Sequence, residues 1–308
     1  MQSVAKKRVG VLRGGTGGHY SSSLKKGGEL ISHISENLSD KYKTFDILID
    51  RDGVWHINGM PTTPPDLINK VDVVWNTSEP SLSLDLDKFS IPNVGNNTFA
   101  SILENNRDML KEHIKNLDIN IPKSVVLPLY QADFDGPRER YSIKKAKEIF
   151  EKFSSPWIIK SFTPDSGMAI HLAKTFPELV DAIEDGVRHE KSILVEEFIT
   201  GKVASMHSVP NFRGEACYTF PLLNTLGTSG FSSGEKEKLA NLVKNLHIHL
   251  GAKHYLKSDF VLNPRGKIYL LGVDFIPNLK QNSHLSQACE IVGAKTQNII
   301  EHIIEQAM

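Results

Sequence analysis

The stretch Lys257-Ser-Asp-Phe-Val-Leu-Asn-Pro-Arg-Gly-Lys-Ile-Tyr-Leu-Leu-Gly-Val-Asp-Phe-Ile-Pro-Asn278 decides the reading of this chain. Its two apolar runs, Phe260 to Leu262 and Ile268 to Val273, flank Asn263-Pro-Arg-Gly266, and that turn chemistry predicts a β-hairpin. Asp259 opens the first predicted strand and Asp274 closes the second. In an antiparallel pair the start of one strand lies beside the end of the next, so both carboxylates are expected at the same end of the hairpin. Converging oxygen ligands suit a magnesium ion that bridges nucleotide phosphates. The other reading is that both acids simply end surface strands, and the hairpin alone leaves the two open.

The bulk composition narrows the function classes. At 308 residues the chain is long enough for two or three compact units with cores of their own. Lys+Arg and Asp+Glu both number 36, so the zero net charge implies no general affinity for nucleic acid or an anionic membrane. Cys217 and Cys289 are too few for a disulfide framework or a zinc site, which fits a reduced, cytoplasmic setting. The apolar run after Lys6-Lys-Arg8 stops at Leu12, too short for a signal-peptide core, and no segment approaches the length of a membrane span.

Outward from the hairpin, the order of elements predicts an α/β protein. Val9-Gly-Val-Leu12 ends in Gly14-Gly-Thr-Gly-Gly18 and is followed by a helical pattern from Ser21 to about Leu38. Strands are expected at Phe45 to Ile49, Val71 to Trp75 and Ile91 to Gly95, which gives a parallel sheet in roughly the first hundred residues. One helix is expected from Phe99 to Leu117, then an exposed loop from Pro128 to Arg140. A helix at Ser142 to Phe153, a strand Trp157-Ile-Ile-Lys160, a helix Pro177 to Arg188 and a strand Ser192 to Glu196 form a small α+β unit. Strands at Val203 to Val209 and Ala216 to Phe220, a helix Gly234 to Leu250, the hairpin and a terminal helix from Lys295 complete the chain.

Several side chains stand where chemistry is possible, each beside a plainer reading. The Gly14 to Gly18 turn can offer backbone N–H groups to an anion or be a tight turn only, and His19 beside it can be a solvated loop residue. Lys160 leaves an apolar strand where it can clamp phosphate or snorkel to water. Glu196-Glu-Phe-Ile199 ends the next strand, where one carboxylate and the backbone amides can meet an adenine ring or simply face solvent. Arg107 and Lys111 share a helix face, as a second phosphate clamp or as a solvated basic face.

Taken in order, these segments resemble the D-alanine–D-alanine ligases of the ATP-grasp superfamily over nearly the whole chain. Gly14-Gly-Thr16 with Ser23-Leu24 is similar to the family's opening glycine turn. Ile91-Pro-Asn-Val-Gly95 and the helix bearing Arg107 and Lys111 resemble I-P-Y-V-G and its lysine-bearing helix. Pro156-Trp-Ile-Ile-Lys160 resembles P-V-x-V-K-P, and Leu194-Val-Glu-Glu-Phe-Ile199 resembles the V-E-x-(F/L)-I adenine hinge. Ser258-Asp-Phe260, Gly266-Lys-Ile-Tyr-Leu-Leu271 and Ile276-Pro277 with Ser283 resemble R-x-D-F, G-x-I-Y-L-L-E-V-N-x-I-P-G and the serine beyond.

The resemblance implies an N-terminal Rossmann-like domain over 1–97, then a central ATP-grasp subdomain over 98–199 and a C-terminal one over 200–308, the last two clamping a nucleotide. It implies ATP and magnesium as cofactors and an amide formed through an acyl phosphate, with phosphoryl transfer stabilised by magnesium and positive charge. On this reading Lys257, Ser166 and Ser283 are catalytic. Arg107, Lys111, Lys160, Glu196, Glu197 and Ile199 bind ATP, and Gly14, Gly15 and His19 bind a D-amino acid or dipeptide. Asp259 and Asp274 hold metal. Peptidoglycan synthesis, and a homodimer formed through the N-terminal domain, are implied on the same ground.

The departures from the family pattern fall at the chemistry. Gly272 and Asp274 stand where the family has the glutamate and asparagine of E-x-N, so one ion at most is expected. Lys257 replaces an arginine, keeping the charge and losing the bidentate fork. In the phosphate loop, Ser161 to Ala169, only Ser166 keeps its place, with Asp165 and Ala169 replacing glycines. Val203 stands for the ribose-binding acid, His19 for the glutamate that holds the substrate ammonium, and Asn76-Thr-Ser-Glu-Pro-Ser-Leu82 for H-G-x-x-G-E-D-G. Nothing from Leu222 to Gly230 matches the family's lid. Two functions follow: an ATP-dependent carboxylate–amine ligase with an altered acceptor pocket, or a non-catalytic descendant that binds a nucleotide, a peptide or a protein. A dinucleotide-dependent oxidoreductase would need the second half of the G-x-G-x-x-G fingerprint, which is missing.

Overall fold

The computed structural model describes residues 5–95, 98–162, 168–223 and 230–308. In chain order the first elements are β1 (Lys7–Gly14), α1 (Tyr20–Asn37), β2 (Tyr42–Ile49), β3 (Trp55–Ile57), β4 (Met60–Thr62), β5 (Val73–Asn76), α2 (Ser81–Lys88), β6 (Asn93–Val94), α3 (Thr98–Asn105) and α4 (Arg107–His113). Then come β7 (Ser124–Leu127), α5 (Tyr130–Asp133), α6 (Arg138–Lys152), β8 (Trp157–Ser161), β9 (His171–Ala173), α7 (Phe176–Arg188) and β10 (Ile193–Glu197). The chain ends with β11 (Lys202–Pro210), β12 (Cys217–Thr219), α8 (Ser233–His249), β13 (Leu256–Leu262), β14 (Ile268–Asp274), α9 (His284–Ile291) and α10 (Thr296–Ala307). Contacts divide the chain into two compact units. One comprises Met1–Ile119, Lys202–Leu262 and Leu270–Met308, the other Asn120–Gly201 and Asn263–Tyr269.

The first unit holds two sheets. One runs β4-β3-β2-β1-β5-β6, with β1 parallel to β2 and β5, and β5 parallel to β6. The buried runs Val9 to Leu12 and Val73 to Trp75 explain its centre, because strands covered on both faces need continuous apolar sequence. Strand order reverses between β1 and β5, so their carboxyl ends, Gly14 and Asn76, frame the crevice where α/β sheets take ligands. The other sheet runs β12-β11-β13-β14. Ile299, Ile300, Ile303 and Ile304 of α10 join Val9, Val11, Leu30 and Tyr255 in one core. The second unit is a sheet in the order β7-β10-β8-β9, with α6 and α7 supplying Ala146, Ile149, Leu179 and Ile183 to a core against one face.

Three expectations need correction. The helix expected from 99 to 117 is two helices. Asn106 leaves helical geometry (φ −124°, ψ 100°), and its side chain accepts a hydrogen bond from the Met109 N–H at 3.0 Å. A side-chain oxygen that caps a new helix competes with continuation of the old one. The exposed loop expected at 128–140 contains α5 and the first turn of α6, because Tyr130, Phe134 and Tyr141 pack their rings together. Asp259 does not open its strand: β13 begins at Leu256. The polar Lys257-Ser258 pair hid that start, since alternation with buried Leu256 and Phe260 is visible only once one face is known to be covered.

Candidate functional site

In the first unit β13 and β14 are neighbours, and Lys257, Asp259 and Asp274 project from one face. The Lys257 Nζ lies 2.7 Å from Asp259 Oδ2 and 3.3 Å from Asp274 Oδ2. Opposite, in register across β11, Ser205 faces Asp259 and His207 faces Lys257. The Ser205 hydroxyl donates to Asp259 Oδ1. Both Asp259 oxygens and one Asp274 oxygen therefore have partners. Burial opposes the charge on Lys257, but Asp259 and Asp274 more than compensate and hold its pKa above the ordinary value.

Behind this cluster runs a hydrogen-bonded chain of rings. His207 Nδ1 lies 2.6 Å from the Tyr255 hydroxyl, and His207 Nε2 lies 2.7 Å from His284 Nδ1. Burial first, then His284 and Lys257, drive the His207 imidazole well below its usual range. Burial and Lys257 also lower His284, while burial, Asp274 and Asp259 raise the Tyr255 phenol well above its own. The chain is thus neutral at pH 7, and Lys257 carries the positive charge beside it. Sequence reasoning missed Ser205, His207, Tyr255 and His284. The usable signal was Ser205-x-His207 alternating with apolar Ala204 and Met206, which places both polar side chains on one face of a strand.

In the second unit the core takes Leu127, Trp157, Ile159, Ala173, Ile193 and Val195 from the four strands. The alternate residues Ser124, Val126, Ile158, Lys160, Leu172, Leu194 and Glu196 form the other face, matched in register. Lys160 Nζ pairs with Glu196 Oε2 at 2.6 Å. Glu196 is buried, whereas Val126 and Leu172 are nearly half exposed, so a charge pair is set into an apolar surface. The hinge is held from within the unit: the Glu197 N–H donates to the Lys123 carbonyl at 2.8 Å and the Phe198 N–H to Pro156 at 3.0 Å. Ile199 is half-buried beyond them.

At the crevice between β1 and β5, Gly14 and Gly15 have φ +87° and +116°. A Cβ on Gly14 would lie 2.1 Å from the Ile49 carbonyl oxygen, so this position needs glycine. The turn does not present its N–H groups freely: Gly15 donates to the Ile49 carbonyl at 2.9 Å, and Gly17 donates to Glu79 Oε1 at 2.8 Å. Glu79, in the loop after β5, brings a carboxylate to the turn that carries His19. Its neighbour Ser78 donates to the Gly14 carbonyl. The sequence signal was Glu79 within Asn76 to Leu82, which alone gave no partner.

The remaining predicted residues fall as follows. Arg107 and Lys111 both lie on α4 of the first unit, Lys111 exposed, whereas Lys160 belongs to the second. Ser283 caps α9, its Oγ accepting from the Ser286 N–H at 3.2 Å. Ser166, Asp165 and most of the expected lid segment lie outside the described residues. The residues at Asp259 and Asp274 do not fit a magnesium site well. That ion asks for near-octahedral oxygen coordination, an ammonium already lies between the two carboxylates, and among the described residues no group of three or more His, Cys, Asp or Glu side chains could hold a metal.

The fold of these sheets is that of solved ligases. The VanG D-Ala:D-Ser ligase of Enterococcus faecalis superposes with TM-score 0.72 at 19% identity, over 99% of this chain and 100% of that one. A D-alanine–D-alanine ligase of Bacillus anthracis complexed with ATP superposes with TM-score 0.70 at 18% identity, over 98% and 96% of the two chains. In sequence, D-alanine–D-alanine ligase B of Clostridium perfringens is 21% identical over 323 residues, covering 98% of each chain. No protein-family model matches. The fold is that of solved D-alanine–D-alanine ligases, and in sequence the chain is similar to such ligases over nearly its whole length.

Proposed function

We propose that this chain is an ATP-dependent carboxylate–amine ligase of the D-alanine–D-alanine type, with ATP taken on the sheet face of the second unit. The observation that carries the nucleotide part is the Lys160–Glu196 pair on a largely apolar face. An adenine ring needs apolar area plus a few fixed polar groups, and Lys160 suits a phosphate. Full-length likeness to ligases supports the reaction class. Arg107, Lys111, Glu197 and Ile199 belong to the same nucleotide reading, and Ser166 and Ser283 to the catalytic one. Gly14, Gly15 and His19 line the acceptor side, where Glu79 provides a carboxylate for a substrate ammonium. The three-domain division at 97 and 199, a cytoplasmic setting and a homodimer belong to the proposal too. Among the described residues no helix is long and apolar enough to cross a membrane.

A second reading, nucleotide binding without turnover, is favoured by Lys257 seated between the two carboxylates. Calorimetry with ATP tests the shared step. ADP release over a panel of D-amino acids then separates the readings: release supports the ligase, and ATP binding with silence across the panel leaves the binding protein.

A further inference from the structure

The carboxylates of Asp259 and Asp274 converge as a metal site would, yet their surroundings are those of a closed ion cluster. Asp259 gives one oxygen to the Ser205 hydroxyl and the other to Lys257, and Asp274 gives one to the same ammonium. Among the described residues, only one of the four carboxylate oxygens is left without a partner. Gly272 and Asp274, two apart on β14, share a face, and a Cβ on Gly272 would meet nothing within 4 Å. A third acid has room there and is missing. We infer that the Lys257 ammonium is a tethered cation standing in the place of a divalent ion, so that this protein takes no divalent cation between Asp259 and Asp274. A group fixed two residues from its partner on one strand competes at a high effective concentration. A free ion must displace it and also shed water to reach a site with too few oxygens.

The inference rests on the geometry of the first unit and deepens the functional reading, since any magnesium that accompanies the nucleotide is then held by phosphate and water rather than by Asp259 and Asp274. Manganese(II) titrated into the full chain, with free ion followed by electron paramagnetic resonance, tests it without reference to activity. The parent is expected to take up no more manganese than the Asp259→Asn/Asp274→Asn double variant. Lys257→Met frees two carboxylates and is expected to gain manganese binding, as is Lys257→Gln, which keeps a hydrogen-bonding side chain without the charge and decides the matter if Lys257→Met does not fold. Uptake by the parent that Asp259→Asn abolishes overturns the inference, and so does a folded Lys257→Gln that takes up none. Absence of ATP heats with or without magnesium removes the nucleotide reading alone, because the manganese result stands apart from it.

Discussion

Two lysine–carboxylate arrangements, one in each unit, put the same chemistry to different use. Lys160 meets a single buried acid on an apolar sheet face, whereas Lys257 meets two acids, a serine hydroxyl in register and a chain of neutral rings. The first pair balances its charges and leaves apolar surface beside it, which is what a ligand with a flat ring and a charged tail can use. The second is saturated by its own side chains and leaves little for a ligand. A lysine near an acid is therefore uninformative until the remaining partners of each oxygen are counted.

The largest expected effect that sharpens this contrast is acid sensitivity confined to the first unit. Burial holds His247 and His254 down to about 4, and His207 and His284 are lowered too. Their folded pKa values lie below the unfolded value of about 6.5, so the unfolded chain binds more protons between the two, and stability falls as pH drops through that window. Each of His247 and His254 is expected to cost about 3 kcal/mol by pH 4. Urea midpoints measured from pH 7 to 4, with Trp157 reporting the second unit and Trp75 the first, should separate, and coincident loss in both would break the contrast.

Next, Lys160→Met removes the ammonium that pairs with the buried carboxylate of Glu196. A loss of about 2–3 kcal/mol is expected in urea unfolding, toward the low side for a buried pair because Lys160 is a third exposed. ATP heats should vanish in the same variant, and unchanged ATP binding would remove Lys160 from the site. Asp259→Asn is milder, about 1 kcal/mol, since Lys257 keeps Asp274 and the amide can still accept from Ser205. The smallest effect belongs to Glu79→Gln, which can keep the bond to the Gly17 N–H and should shift stability by about half a kcal/mol or less. That variant should nevertheless weaken binding of an ammonium-bearing acceptor, as saturation kinetics would show in an increased KM.

Legibility followed the locality of the signal. The hairpin was readable because Asn263 and Gly266 make their own turn, with Asn263 Oδ1 accepting from the Arg265 and Lys267 N–H groups. The break at Asn106 was missed because a capping asparagine inside an apolar periodic run looks like any other polar position until the chain turns there. Asp259 and Asp274 were readable as a converging pair from strand pairing alone, but Ser205 and His207 lie more than fifty residues away and enter only through the register of β11 on β13.

The sequence by itself determined the α/β order, the likeness to ATP-grasp ligases, the convergence of Asp259 with Asp274, and the absence of an acid at 272. All of these depend on near neighbours or on colinear motifs. Only the tertiary structure decided that Lys257 lies between the two carboxylates, that Glu79 meets the glycine turn, and that the rings of Tyr255, His207 and His284 form one chain. Those contacts join side chains distant along the chain, and a hydrogen bond is fixed by positions in space that no local pattern encodes.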